Sequence, residues 1–210
     1  MSSYAAAESA PAGAASPAKI RILEAAHALI QQGAVRASMA EIAKAAGISR
    51  QALYMHYANR EALLFALNQY LAQRFNFAEE LQRLAEAADG IESLRAAAAF
   101  QARLYPQVWA VVRALESAQS DDEDVKSVWQ AQLRSDLDSC AATVKRLRRE
   151  KLLRPEFDAA TATDLLWALT SIPLWEELVL QRGWSAKRYE KHVAALLIST
   201  LTIGSSADRD

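Results

Sequence analysis

Apolar residues recur at three- and four-residue spacing along most of the chain, a period that predicts helices and no convincing strand. Ile22, Leu23, Ala26, Leu29 and Ile30 share one face of a first helix over about 17–32. Ser16 caps it, Pro17 suits the first helical position, and Gly33 ends it. Ser38-Met-Ala-Glu41 reads as a capping box opening a short second helix with Met39, Ile42, Ala43 and Ala46 inward. Gly47 closes that helix, Ser49 caps a third, and Asn59 caps a fourth that carries Leu63, Leu64, Leu67, Leu71 and Phe75. Farther on, Asp89 opens a helix that Pro106 is expected to interrupt. Ser120-Asp-Asp-Glu123 opens a long helix, acidic at its start and basic at its end, as the helix macrodipole favours. Its apolar stripe runs from Val125 and Val128 to Val144 and Leu147. Asp158 caps the next helix, which a kink or break near Pro173 should divide, and Ser185 caps the last. The fold class predicted is all-α.

Within residues 42–53 the side chains meet the steric needs of a helix-turn-helix. Ala43 is small enough for two helices to cross closely, and Gly47 allows the positive φ of a tight turn. Ile48 and Leu53 lie beneath the second helix, which leaves Arg50, Gln51 and Ala52 facing outward. Arg and Gln can bond base edges or phosphates, and Ala can meet a thymine methyl. The spacing alone would fit an ordinary helical hairpin better.

Charge adds to this picture. Residues 16–60 hold six bases, Arg36, Lys44 and Arg60 among them, against two acids; residues 61–210 hold 18 bases against 22 acids. A basic head on an acidic body suits a protein that docks only its head on phosphate. The net charge of −1 by itself points to no partner. One cysteine, Cys140, excludes an intrachain disulfide framework and fits a reducing compartment, so a cytoplasmic location is expected. No apolar run is long enough for a membrane helix, and the Ala/Ser/Pro-rich start has neither the basic start nor the apolar core of a secretory signal. His27, His56 and His192 stand apart, with no metal-ligand spacing, catalytic constellation or phosphate loop. No enzyme activity, metal or cofactor is expected.

The stretch Ile20–Leu71 resembles the TetR family of bacterial transcriptional regulators. The residues that carry the likeness are Ile22-Leu-Glu-Ala-Ala26, Gly33, Ile42-Ala43, Ala46-Gly-Ile-Ser49, Leu53-Tyr-Met-His-Tyr57 and Arg60-Glu-Ala-Leu-Leu64. The resemblance implies a three-helix helix-turn-helix head over 17–62 and a larger effector-binding and dimerisation bundle over 63–204. Residues 1–16 are expected to be a disordered tail and 205–210 a second tail. It further implies that Ser38 presents the second helix to a phosphate. Arg50, Gln51 and Ala52 would face bases, and Tyr54, His56 and Tyr57 would pack the motif and touch the DNA backbone. Arg60 stands where the family usually has Lys and would clamp a phosphate; Arg36, Lys44 and Ser49 complete the expected DNA-contacting set. Ala37 falls where the family often has Thr, so a phosphate bond made there is not expected.

For the body, the resemblance implies a small-molecule pocket and a homodimer. All five tryptophans lie there, and Phe100, Arg103, Tyr105, Trp109, Trp129, Leu133, Cys140 and Trp167 are the candidate lining, with Arg103 or Asp136 as polar anchor. Taken singly, each apolar one reads more readily as plain core. The last two helices carry surplus apolar surface at Trp175, Leu178, Val179, Tyr189, Val193, Leu196, Leu197 and Leu201, the candidate dimer interface. The function implied is a regulator, most simply a repressor, that binds a palindromic operator as a dimer and leaves it when an apolar or aromatic effector binds. A regulator that activates or grips DNA more tightly with ligand, and a partner-binding helical module, are the alternatives.

Overall fold

The computed structural model describes residues 16–203, so the expected tails lie outside the described residues except for Ser16. Ten α-helices and one π-helical segment make up the regular structure of these residues. They are α1 (Pro17–Gln31), α2 (Met39–Ala45), α3 (Arg50–His56), α4 (Arg60–Arg74), α5 (Phe77–Ala85), α6 (Gly90–Ala118), α7 (Glu123–Arg149), α8 (Ala159–Leu169), α9 (Ile172–Trp175) and α10 (Ala186–Leu201). The π segment, Glu176–Gln181, continues α9.

Side-chain caps start most of these helices where the sequence places them. The backbone N–H groups of Ala52, Ala62, Glu92, Val125, Thr161 and Arg188 donate to Ser49, Asn59, Asp89, Asp122, Asp158 and Ser185. Each cap satisfies one of the N–H groups that a helix start leaves without a partner.

Of two expectations about proline, the interruption at Pro106 changes and the break near Pro173 holds. α6 runs unbroken through Pro106. That proline is exposed, and in the turn its ring disturbs, the Gln107 side chain donates to the Arg103 carbonyl at 2.9 Å. Pro173 does not kink a helix but starts one, in the first turn of α9, where it sacrifices no helical bond. The break lies before it, at Thr170 and Ser171. A further helix, α5, follows α4 after Asn76, which takes a left-handed φ of 54°.

The chain divides into two compact units, which cut it differently from the boundary expected at 62/63. Of the described residues, one unit, the head unit, joins 16–76 to 108–133; the other, the bundle unit, joins 77–107 to 134–203. α6 and α7 each contribute to both. The head unit has one core: Ile22, Leu53, Leu63 and Val125 show no exposed surface, and Ile42, Leu67 and Val128 pack with them. In the bundle unit the fully buried side chains include Leu94, Val144, Leu147, Leu166, Tyr189, Val193, Leu197 and Leu201.

Candidate nucleic-acid interface

The turn between α2 and α3 is held by backbone chemistry. Gly47 adopts φ +67°, and the Ile48 N–H donates to the Ala43 carbonyl at 3.0 Å. A Cβ at Gly47 would meet nothing within 4 Å, so the backbone conformation, not lack of space, calls for glycine. Leu53 and Tyr57 are buried beneath α3, and burial raises the Tyr57 phenol pKa. Tyr57 therefore packs the motif. His56 is half-buried.

What α3 presents outward is two adjacent strips at i,i+4 spacing, Arg50 with Tyr54 and Gln51 with Met55, all exposed. Ala52, expected among the readers, is half-buried. Met55 is 82% exposed, and sequence reasoning passed over it. Its place one turn beyond Gln51 was the available signal.

Arg60 is the clearest departure from expectation. Its Nε donates to the Ala37 carbonyl at 3.0 Å and its Nη2 to the Val35 carbonyl at 2.5 Å. Its Nη1 meets both Asp122 oxygens at 2.9 and 2.8 Å, with Asp124 at 3.5 Å. The Arg60 and Asp122 side chains are only 12% and 13% exposed. The guanidinium is thus a staple joining the 35–37 loop to the start of α7, not a clamp open to phosphate. Asp122 also caps α7, and no local motif marks it as a partner of residue 60.

Ser38 is also occupied. Its N–H and hydroxyl both donate to Glu41 Oε2 at 2.7 Å, and its Oγ accepts from the Glu41 N–H at 3.3 Å. These bonds hold the Glu41 pKa below its usual value, the backbone bond foremost. Ser38 is thus the cap that the Ser38–Glu41 motif predicts. Arg36 pairs with Asp121 at 2.5 Å on the exposed surface, where such a pair is weak and can exchange for phosphate. Lys44 and Ser49 are exposed.

The candidate pocket residues divide between the units. Trp109, Trp129 and Leu133 belong to the head unit; Phe100, Arg103, Tyr105, Cys140 and Trp167 belong to the bundle unit. Arg103 does not anchor an apolar pocket: it lies at the surface and pairs with Glu80 of α5 at 2.5 Å. Within the bundle unit Tyr105 donates to the Thr170 carbonyl at 2.6 Å, the Gln101 amide donates to the same carbonyl, and Tyr189 donates to Gln101 Oε1 at 3.0 Å. Trp175 meets the Tyr105 ring edge-on at 6.1 Å. Sequence reasoning missed Gln101, whose partners are all distant in the chain except Tyr105. Burial pushes the Cys140 thiol up to about 12, which keeps it protonated and unreactive. In the head unit a cavity of about 20 Å³, room for about one water, lies among Leu64, Leu67, Asn68, Leu71, Val111, Leu115 and Val128.

Residues 22–67 match the sequence model of bacterial regulatory proteins, tetR family. By this match the head resembles the DNA-binding domain of that family. The fold of the chain agrees over the greater length. A Saccharomonospora viridis protein solved in complex with choline is 20% identical with a TM-score of 0.70, covering 90% of this chain and 100% of that one. The transcriptional regulator FadR from Bacillus subtilis, solved with stearoyl-CoA, is 15% identical with a TM-score of 0.69, covering 86% and 97%. The ketosteroid transcriptional regulator KstR2 of Mycobacterium tuberculosis is 19% identical with a TM-score of 0.61, covering 92% and 99%. No curated protein matches the sequence.

The TetR-like fold changes which residues of the last two helices can meet a partner. Trp175, Tyr189, Val193, Leu197 and Leu201 are at most 3% exposed and pack inward within the chain, so they are not contact residues. Each recurs four residues after the last along α10 from Tyr189, the stripe that faces its own bundle. Leu178 and Val179 are half-buried. Leu180 at 46% and Leu196 at 40% are the large apolar side chains that stay exposed there. Among the described residues no group of His, Cys, Asp and Glu is placed to hold a metal, and no helix is long and apolar enough to cross a membrane.

Proposed function

We propose that this chain is a TetR-family regulator, a cytoplasmic repressor that binds a palindromic operator as a homodimer and releases it on binding a small apolar effector. The exposed strips of α3, carried on a family-matched head, are the observation that supports this most strongly. One short reading helix has little to grip alone, and a two-fold dimer presents two of them to two half-sites. Leu180 and Leu196 supply exposed apolar surface for that dimer.

The effector enters the apolar space between α4, α6 and α7 of the head unit, where the cavity among Leu64, Leu71 and Val128 already leaves a gap. A ligand much larger than a water must widen that gap. Its differential affinity for the widened state then shifts the population of heads. Because Arg60 ties the start of α7 to the loop before α2, a displacement of α7 carries the head with it.

The test is retention of the DNA upstream of the protein's own gene, with and without stearoyl-CoA, a ketosteroid or choline. The expected result is a retarded band that an apolar probe removes and choline does not. Equal retention of upstream and unrelated DNA would contradict operator binding, and tighter retention with ligand would reverse the sign of regulation.

A further inference from the structure

Arg50 and Tyr54 are coupled one turn apart on α3 although both side chains are exposed. The guanidinium carbon lies 5.5 Å from the centre of the Tyr54 ring, and Nη2 donates to the phenol oxygen at 3.5 Å. We propose that Tyr54 is a positioning residue that holds Arg50 as a guanine reader, an inference that rests on the DNA-reading function proposed above.

A guanidinium offers five N–H donors and no acceptor. One bond to Tyr54 leaves a fork of donors free. In the major groove guanine shows two acceptors, O6 and N7, whereas adenine shows one acceptor and one donor. A donor-only fork therefore matches guanine alone in bidentate fashion. An exposed arginine ordinarily samples many rotamers and must lose that freedom on binding. The ring beneath and the hydroxyl beside the guanidinium restrict it beforehand, so less is lost for each bond formed. Tyr54 is 41% exposed, enough of the ring being free to remain beside the base it helps to select. The neighbouring strip differs in kind: Gln51 can both donate and accept, and Met55 is apolar. Base choice for guanine thus falls on the Arg50 strip.

A tyrosine that only touched a phosphate would behave otherwise. It would weaken binding to every sequence alike and leave base preference untouched. The experiment is selection of bound DNA from a randomised duplex pool by the full-length protein, followed by affinities for the selected site and its single-base variants. The wild type is expected to enrich one guanine per half-site, with a bidentate preference of about 5- to 150-fold over other bases. Arg50→Lys, which keeps the charge but loses the fork, should abolish that preference. Tyr54→Ala should lower it several-fold while affinity for sites lacking the guanine stays unchanged. Tyr54→Phe, which keeps the ring but not the hydroxyl, should fall between. A Tyr54→Ala protein with undiminished guanine preference overturns the inference, as does a wild-type selection without guanine. A wild-type selection that enriches nothing overturns the DNA-reading function itself. Thermal unfolding of each variant should match the wild type, since both side chains are exposed.

Discussion

Replacing Arg60 by methionine keeps most of the side chain's length and removes every donor. Asp122 then stays 13% exposed without its bidentate partner, and the Val35 and Ala37 carbonyls each lose a charged donor. Breaking a buried ion pair by removing one partner costs about 3–5 kcal/mol, because the remaining charge is uncompensated. The residual exposure of Asp122 places the expected loss at the lower end, about 3 kcal/mol. For a chain of this size each kcal/mol lowers Tm by about 2–4 °C, so a fall of about 6–12 °C is expected in a thermal melt followed by circular dichroism. Asp122→Asn is the companion variant: asparagine still caps α7 but removes the charge, so its loss reports the pair and not the cap. DNA binding supplies the refuting result. If Arg60 were a phosphate clamp, the methionine variant would melt within about 2 °C of wild type. Its dependence of log affinity on log salt would also flatten by about one unit. That pair of outcomes would falsify the staple.

Two other predictions concern different parts of the molecule. Burial, and then the Arg74 charge, lower the His27 pKa, with Glu24 opposing. The unfolded chain therefore binds this proton more readily than the folded one. The stability tied to neutral His27 is complete above the unfolded value near 6.5 and is lost as pH falls through the lower native value. Denaturant unfolding between pH 7.5 and 5 should show this loss, and His27→Phe should lack it; identical pH profiles for the two proteins would contradict it. At the dimer face, Leu196→Glu should give a folded monomer by gel filtration. Leu197→Glu, a charge introduced at a site with no exposed surface, should instead prevent folding. A dimeric Leu196→Glu protein would remove that residue from the interface.

Features set by neighbours in the chain were legible from the sequence. Caps at Ser49, Asn59, Asp89, Asp158 and Ser185, the turn at Gly47 and the inward stripes of α4 and α10 need only local spacing and side-chain chemistry. Features set by distant partners were not. Arg60 meets Asp122 across 62 positions, and this moves a basic residue from the DNA face into the protein. Asp121, Asp122 and Asp124 belong to the same unit as the basic head and offset part of its charge, which a division of the sequence at residue 62 hid. Tyr189 and Leu197 show the same limit. A surplus of apolar residues says that a helix is buried, but not whether its own chain or a second copy covers it.

The central claim is that α3 and its flanking bases dock the head on DNA. It is tested most directly by the affinity of the full-length protein for DNA upstream of its gene, measured by fluorescence anisotropy across a salt series. Each phosphate neutralised adds about −0.9 to the slope of log affinity against log salt. Arg36 and Lys44, exposed on two heads, give a slope of about −3.6. A slope near zero, or affinity no higher than for unrelated DNA at every salt concentration, would contradict the account.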